Sequence, residues 1–216
     1  IIRSQFPALQ QSGVIFFDNP GGTQIARQSL ERVTGYLTQH NANHGGAFAT
    51  SRQSDAILDE AHTAMADFYN AARPEEIIFG NNMTTLTLHI SRSIARTWNA
   101  GDTIVVTRLD HDANVRPWLQ FAERAGVVVR WLDFDPVSSE LLWESVESAI
   151  GERTRLVAVT GASNLIGTIP PVAAIAQRAH AVGALVWVDG VHVAAHRLVD
   201  VGALGADFFV CSRRGK

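Results

Sequence analysis

The chain has 216 residues, 46% of them hydrophobic and 18% charged, so it can bury one sizeable core and lacks the depleted composition of a disordered polymer. A formal net charge of −3 supplies no basic field, and the arginines are scattered rather than interleaved with aromatics, which argues against a nucleic-acid partner. Apolar runs such as 184–188 and 208–211 are far short of a bilayer span, the opening Ile1-Ile2-Arg3-Ser4-Gln5 has no signal-peptide pattern, and the lone Cys211 cannot close an internal disulfide, so a reducing cytoplasm is the expected compartment.

Strand-like and helix-like segments alternate along the chain, without repeats, low-complexity tracts or an obvious linker. From Ser54, read as an N-cap, apolar residues at Ile57, Leu58, Ala61, Met65, Phe68 and Tyr69 fall at helical spacing, and Pro74 is expected to end that helix. Buried strands are predicted at 77–79, 103–107, 127–131, 156–160, 184–189 and 207–211. Helices are predicted near 84–98, 114–125, 138–149 and 172–182. This alternation predicts an α/β fold with a mostly parallel central sheet and helices on both faces, all within one large domain spanning 1–216. In such sheets ligands collect at the carboxyl ends of strands, so the residues just after each strand carry the functional reading.

After the strand at 77–79 comes Gly80-Asn81-Asn82-Met83-Thr84-Thr85, opening a helix. Free N–H groups and hydroxyls there suit a phosphate, although a plain N-cap threonine accounts for the segment equally well. After 103–107 comes Asp110-His111-Asp112-Ala113-Asn114, whose imidazole can lie against an aromatic ring, act as a base, or be one of eight ordinary histidines in the chain. No convergent set of metal ligands accompanies it. After 156–160, Asn164 lies in a turn set by Gly167, Pro170 and Pro171, where its amide can donate to a ligand oxygen or simply form the turn. Cys211 sits in an apolar run and reads as a packing residue.

Asp189 ends the run Ala184-Leu185-Val186-Trp187-Val188, and Lys216 is the only lysine among 18 basic residues. A carboxylate at a buried strand end is best tolerated beside a cation. Paired with a primary amine, it points to pyridoxal phosphate (PLP), which is held by a lysine Schiff base and keeps its pyridine nitrogen protonated through a nearby anion. His192, three residues after Asp189, can reach the same ring. Asp189 can equally cap the segment that follows it.

Taken in order, these residues resemble the large domain of class V aminotransferases, fold-type I PLP enzymes, and most closely their cysteine-desulfurase-like branch. The matching segments are Phe17-Asp18-Asn19-Pro20-Gly21-Gly22-Thr23, Asn43-His44-Gly45-Gly46, Asp110 to Asn114, Ser163-Asn164-Leu165-Ile166-Gly167, Val188-Asp189-Gly190-Val191-His192 and Asp207 to Ser212. The resemblance implies that Met83, Thr84 and Ser212 hold the phosphate and that His111 stacks on the ring. It implies that Asn164 and His192 contact the phenolate oxygen, His192 standing where many relatives have glutamine, and that Asp189 pairs with the ring nitrogen. Lys216 and His111 are then the catalytic candidates, the substrate is an amino acid, and a homodimer partner completes the site.

Two departures qualify this reading. The family usually places its lysine three residues after the serine; here Gly215 stands there, and Lys216 comes four after Ser212. The sequence also stops where the family continues into a small domain, which usually brings the substrate-binding arginine and, in desulfurases, the loop with the catalytic cysteine. Two other readings stay open: a fragment or non-catalytic relative of the same fold, and a nucleotide-binding α/β domain, although neither a GxGxxG nor a P-loop is present.

Overall fold

The computed structural model describes residues 2–11, 13, 15–17 and 22–212. They divide into two compact units, one holding the N-terminal segments through Asp67 together with Arg73–Ile78, the other holding Phe68–Ala72 and Phe79–Ser212.

The first unit contains α1 (Ala8–Gln11), α2 (Arg27–Gly35), a π-helical turn at Tyr36–His40 and most of α3 (Ala49–Tyr69). The loop Asn43-His44-Gly45-Gly46 is tied down onto α3. Gly46 N–H donates to Ser51 Oγ at 2.7 Å, Ser51 Oγ donates to the Asn43 carbonyl at 2.6 Å, and Gly45 N–H donates to Asp55 Oδ1 at 2.9 Å. Ser54 is not the N-cap expected of it. The helix begins five residues earlier, and Ser54 is buried inside it, its hydroxyl donating to the His40 carbonyl at 2.8 Å. At the other end the stop is Asn70, in the left-handed region at φ 51°, which asparagine tolerates better than most residues. Pro74 opens a short 3-10 turn, Pro74–Glu76.

The second unit is built on five parallel strands, β1 (Thr103–Thr107), β2 (Val128–Leu132), β3 (Thr154–Thr160), β4 (Leu185–Asp189) and β5 (Phe208–Val210), in the order β2-β1-β3-β4-β5. α4 (Met83–Ile94) precedes β1, and α5 (Arg116–Ala125), α6 (Trp143–Ala149), α7 (Val172–His180) and α8 (Val201–Leu204) run between successive strands. Successive side chains of a strand point to opposite faces, and the central strands are apolar on both. Val105, Val157, Val159, Val186 and Val188 pack with Val146 of α6 and Ile175 and Ala179 of α7. The alternate residues Ile104, Val106, Leu156, Ala158 and Trp187 pack with Met83 of α4 and with Trp118 and Ala122 of α5. Each fully buried aliphatic side chain here contributes roughly 1.5–3 kcal/mol relative to exposure. The layered parallel sheet predicted from the sequence is thus the fold observed.

The boundaries of single elements differ from expectation. Among the described residues the run 77–79 pairs with no strand: Ile78 and Phe79 are largely exposed, in a short segment between a 3-10 turn and the start of α4. Asn114 belongs to a 3-10 turn, Asp112–Asn114, ahead of α5, and α6 starts only at Trp143.

Asp207 opens β5 by gripping β4. Its carboxylate accepts from Val186 N–H at 2.7 Å and stands 2.9 Å from His180 Nε2, while its own N–H donates to the Val186 carbonyl at 3.0 Å. Beyond β4, Gly190 N–H donates to the Val210 carbonyl at 2.7 Å. A side chain is excluded at Gly190, because a Cβ there would lie 2.0 Å from Phe209 Cζ, on a rigid ring. Gly190→Ala is therefore expected to destabilise the chain by about 1–3 kcal/mol, read as a lower urea midpoint; an unchanged midpoint would show that this close approach is dispensable.

Candidate functional site

In the register of the sheet, Thr160 of β3 lies beside Asp189 of β4, which lies beside Val210 of β5. Because the strands are parallel, the segments that follow them emerge at one edge. Asn164 comes four residues after the end of β3, His192 three after β4 and Ser212 two after β5. Asp189 shares a side-chain parity with Trp187, so it faces the side of the sheet that α4 and α5 cover.

Asp189 is 5% exposed. Its Oδ1 accepts from Val191 N–H at 2.9 Å, so the carboxylate does cap the turn after β4 with one oxygen, and no salt bridge to it is found among the described residues. Desolvation pushes its pKa above the usual carboxylate range, while the Val191 hydrogen bond and the charge of His111 pull it down. The aspartate singled out from the sequence thus lies within reach of the charge of His111.

His111 is exposed and heads the 3-10 turn, its Nδ1 accepting from Ala113 N–H at 3.0 Å. α4 packs against this turn and against β5, which brings its first residues into the same region. Met83 is buried in the core beneath and Thr84 is exposed. The cap of α4 is Asn82, whose Oδ1 accepts from Thr85 N–H at 2.8 Å. Among the described residues the N–H groups of Met83 and Thr84 have no hydrogen-bond acceptor, which leaves them available to an anion.

Asn164 is exposed on a loop closed by Gly167, at φ 77°, with Ser163 N–H donating to the Thr168 carbonyl at 2.8 Å and Gly167 N–H to the Ser163 carbonyl at 3.0 Å. This is the turn expected of Gly167 and the following prolines, and α7 begins directly after Pro171. His192 is half-buried, its ring 4.9 Å from that of His196, at a cavity of about 270 Å³ bordered by Gly167, Ile169 and Arg197. Ser212 is half-buried. The sulfur of Cys211 lies 2.5 Å from the Tyr69 hydroxyl, in keeping with a packing role. Lys216 lies outside the described residues, as do Asp18 to Gly21 of the first matching segment.

Sequence reasoning passed over the side chain of Asp110. Its carboxyl accepts from the Thr107 hydroxyl at 2.6 Å and from Asn114 Nδ2 at 2.7 Å. Desolvation, with the nearby negative charge of Asp189, raises its pKa to about 7, against the hydrogen bonds from Thr107, Asn114 and the Thr160 backbone. A threonine ending a strand, followed at three residues by aspartate and at seven by asparagine, is a recognisable turn-locking pattern once the strand end is known. Among the described residues no cluster of histidine, cysteine or carboxylate side chains could hold a metal ion, and no helix is long and apolar enough to cross a membrane.

Comparison with known proteins gives a consistent result. The chain is 39% identical over 98% of its length to the aminotransferase-like protein FGM3 of Gibberella zeae, covering 53% of that protein. It is 35% identical over 98% of its length to a cysteine desulfurase of Dickeya dadantii, covering 52% of it. The apo cysteine desulfurase of Thermococcus onnurineus NA1 superposes with a TM-score of 0.90 at 28% identity, over 98% of this chain and 52% of that one. The cysteine desulfurase CsdA of Escherichia coli gives 0.87 at 28% identity, over 99% and 54%. The chain therefore spans about half the length of these relatives. With the profile of Aminotransferase class-V matching residues 15–214, it belongs to the class V aminotransferase family.

Proposed function

We propose that residues 1–216 form the cofactor-binding large domain of a PLP-dependent enzyme acting on an amino acid, either as an aminotransferase or as a cysteine-desulfurase-like lyase. The observation that carries this reading is the buried Asp189 carboxylate, which has no salt-bridge partner among the described residues. An anion so desolvated is matched by a cation, and a protonated pyridine nitrogen supplies one without adding a protein side chain. The remaining residues fit the same group. Two N–H groups at the start of α4 that have no acceptor among the described residues suit a phosphate, and His111 stands close enough for its charge to act on Asp189.

When bound, PLP supplies the electron sink for charge released at the substrate α-carbon. Asp189 holds the proton on the ring nitrogen. His111 is assigned to the ring face, Asn164 and His192 to the phenolate oxygen, and Met83 N–H, the Thr84 hydroxyl and the Ser212 hydroxyl to the phosphate. Lys216 Nζ is assigned as the amine that anchors the coenzyme and moves the proton at the α-carbon. The family resemblance further suggests a homodimer. One observation favours a second reading, a cofactor-binding relative without catalysis: Lys216 stands four residues after Ser212 instead of three.

Borohydride reduction after incubation with PLP, followed by peptide mass spectrometry, tests the reading. The expected result is a pyridoxyl increment on the Lys216 peptide, lost in Lys216→Ala. A wild-type chain that takes up no pyridoxyl group contradicts both readings, and uptake without turnover of any amino acid favours the second. Asp189→Asn separates cofactor binding from folding. The amide oxygen can still accept from Val191 N–H and no buried charge remains, so the cofactor-free variant is expected to be at least as stable as wild type. Its affinity for PLP is expected to fall by roughly 10-fold or more, consistent with the loss of a desolvated ion pair. Equal affinity by absorbance titration would remove Asp189 from the site.

A further inference from the structure

We propose that Asp110 is the positioning residue of this site: with Thr107 and Asn114 its carboxyl fastens the end of β1 to the turn that carries His111, and so fixes where the imidazole stands relative to Asp189. The relevance of that placement to a cofactor rests on the reading above; the fastening itself is independent of it.

The connections form a closed set. Leu109 N–H donates to Thr107 Oγ1 at 3.1 Å, and Thr107 Oγ1 donates to Asp110 Oδ2 at 2.6 Å. Asn114 Nδ2 donates to Asp110 Oδ1 at 2.7 Å, across the turn in which His111 Nδ1 accepts from Ala113 N–H. Asn114 N–H also donates to the His111 carbonyl at 2.8 Å, so the same asparagine holds the histidine backbone and the Asp110 side chain. His111 is thus held at its ring by the Ala113 N–H and at its carbonyl by Asn114, whose side chain bonds Asp110.

A second observation concerns Asn114 itself. The residue is fully buried, yet its Oδ1 has no hydrogen-bond partner. A buried acceptor left unmet is costly. With a proton on Asp110 and the amide turned over, the acid O–H donates to Asn114 Oδ1 along the line now used by Nδ2, and Nδ2 takes the place where Oδ1 has no partner. The asparagine can therefore serve either charge state of Asp110. Deprotonated, Asp110 is held by two donors; protonated, it is held by the Thr107 hydroxyl and donates to Asn114.

The charged and titratable groups around Asp110 are few. From β4 comes Asp189, whose like charge opposes ionisation of Asp110. Along its own loop and into α5 stand His111, Arg108 paired with Asp133 at 2.5 Å, and Asp112 paired with Arg116 at 3.1 Å. β3 contributes the backbone of Thr160, and α4 begins with the uncharged Met83-Thr84-Thr85. No cation is paired with Asp110 among the described residues. A carboxyl with a raised pKa keeps its proton in the native state over a range where the unfolded chain has released it. Asp110 therefore contributes stability that declines as pH rises from about 4 to about 7 and is constant above that.

The test is made on the cofactor-free full chain by NMR, so failure of the cofactor reading and failure of this inference are told apart. At about pH 9, where an imidazole is neutral, the wild-type His111 ring nitrogen shifts should show one tautomer, with Nδ1 the acceptor and Nε2 protonated. Asp110→Ala should give mixed tautomers, and Asp110→Asn, which can both accept and donate, should restore the single one. The Asn114 side-chain amide signals should move with a midpoint near 7 in wild type, and this inflection should vanish in Asp110→Asn. The urea midpoint of wild type relative to Asp110→Asn should fall between about pH 4 and 7. Should Asp110→Ala prove unfolded, the Asn114 inflection decides alone: its persistence in Asp110→Asn overturns the proposal, as does an unmixed His111 tautomer in a folded Asp110→Ala.

Discussion

An ionised carboxylate at the sealed end of a central strand is costly unless something positive meets it. Asp189 occupies that position, with Trp187 two residues before it in the core and a single N–H donor on one oxygen. The surroundings supply that one backbone donor and the charge of His111, with no salt bridge among the described residues. The sheet thus holds a charge in reserve, and much of the local architecture keeps it there. Gly190 permits the strand to turn against Phe209, Asp207 locks β5 in register beside β4, and the loop after β3 closes through Ser163, Gly167 and Thr168.

Two carboxyls, Asp189 buried and Asp110 half-buried, share this region, and their surroundings separate them. Asp110 has donors from Thr107 and Asn114 and a pKa near 7, whereas Asp189 feels the favourable charge of His111. Holding one neutral lowers the cost of ionising the other, because like charges at close range resist being present together. The site residues proposed from the sequence gain a physical context from this pair. His111 belongs to both, since it follows Asp110 in the chain and its charge is felt at Asp189.

The layering of the second unit was legible because it is written twice. Largely apolar runs at 103–107, 156–160 and 184–188 mark strands buried on both faces, and helical spacing between them marks the cover. The placement of Asp189 followed directly, as the first polar residue after such a run. What was not legible depended on contacts with no period. Ser54 looks like a cap until the helix is seen to start at Ala49 and its hydroxyl to bond His40, and 77–79 looks like a strand although among the described residues none pairs with it. Asp110 was hidden for a related reason: its role depends on Thr107 and Asn114 turning inward together, which a flat sequence does not display.

The central claim is that the Asp189 carboxylate is reserved for a cation delivered by a bound cofactor. Its carboxyl carbon, observed by NMR in selectively labelled protein through a pH titration with and without pyridoxal phosphate, reports this most directly. The account predicts a midpoint above the ordinary carboxylate range in the free chain and a midpoint moved well below it once the cofactor is added. A titration that the cofactor leaves in place would contradict it.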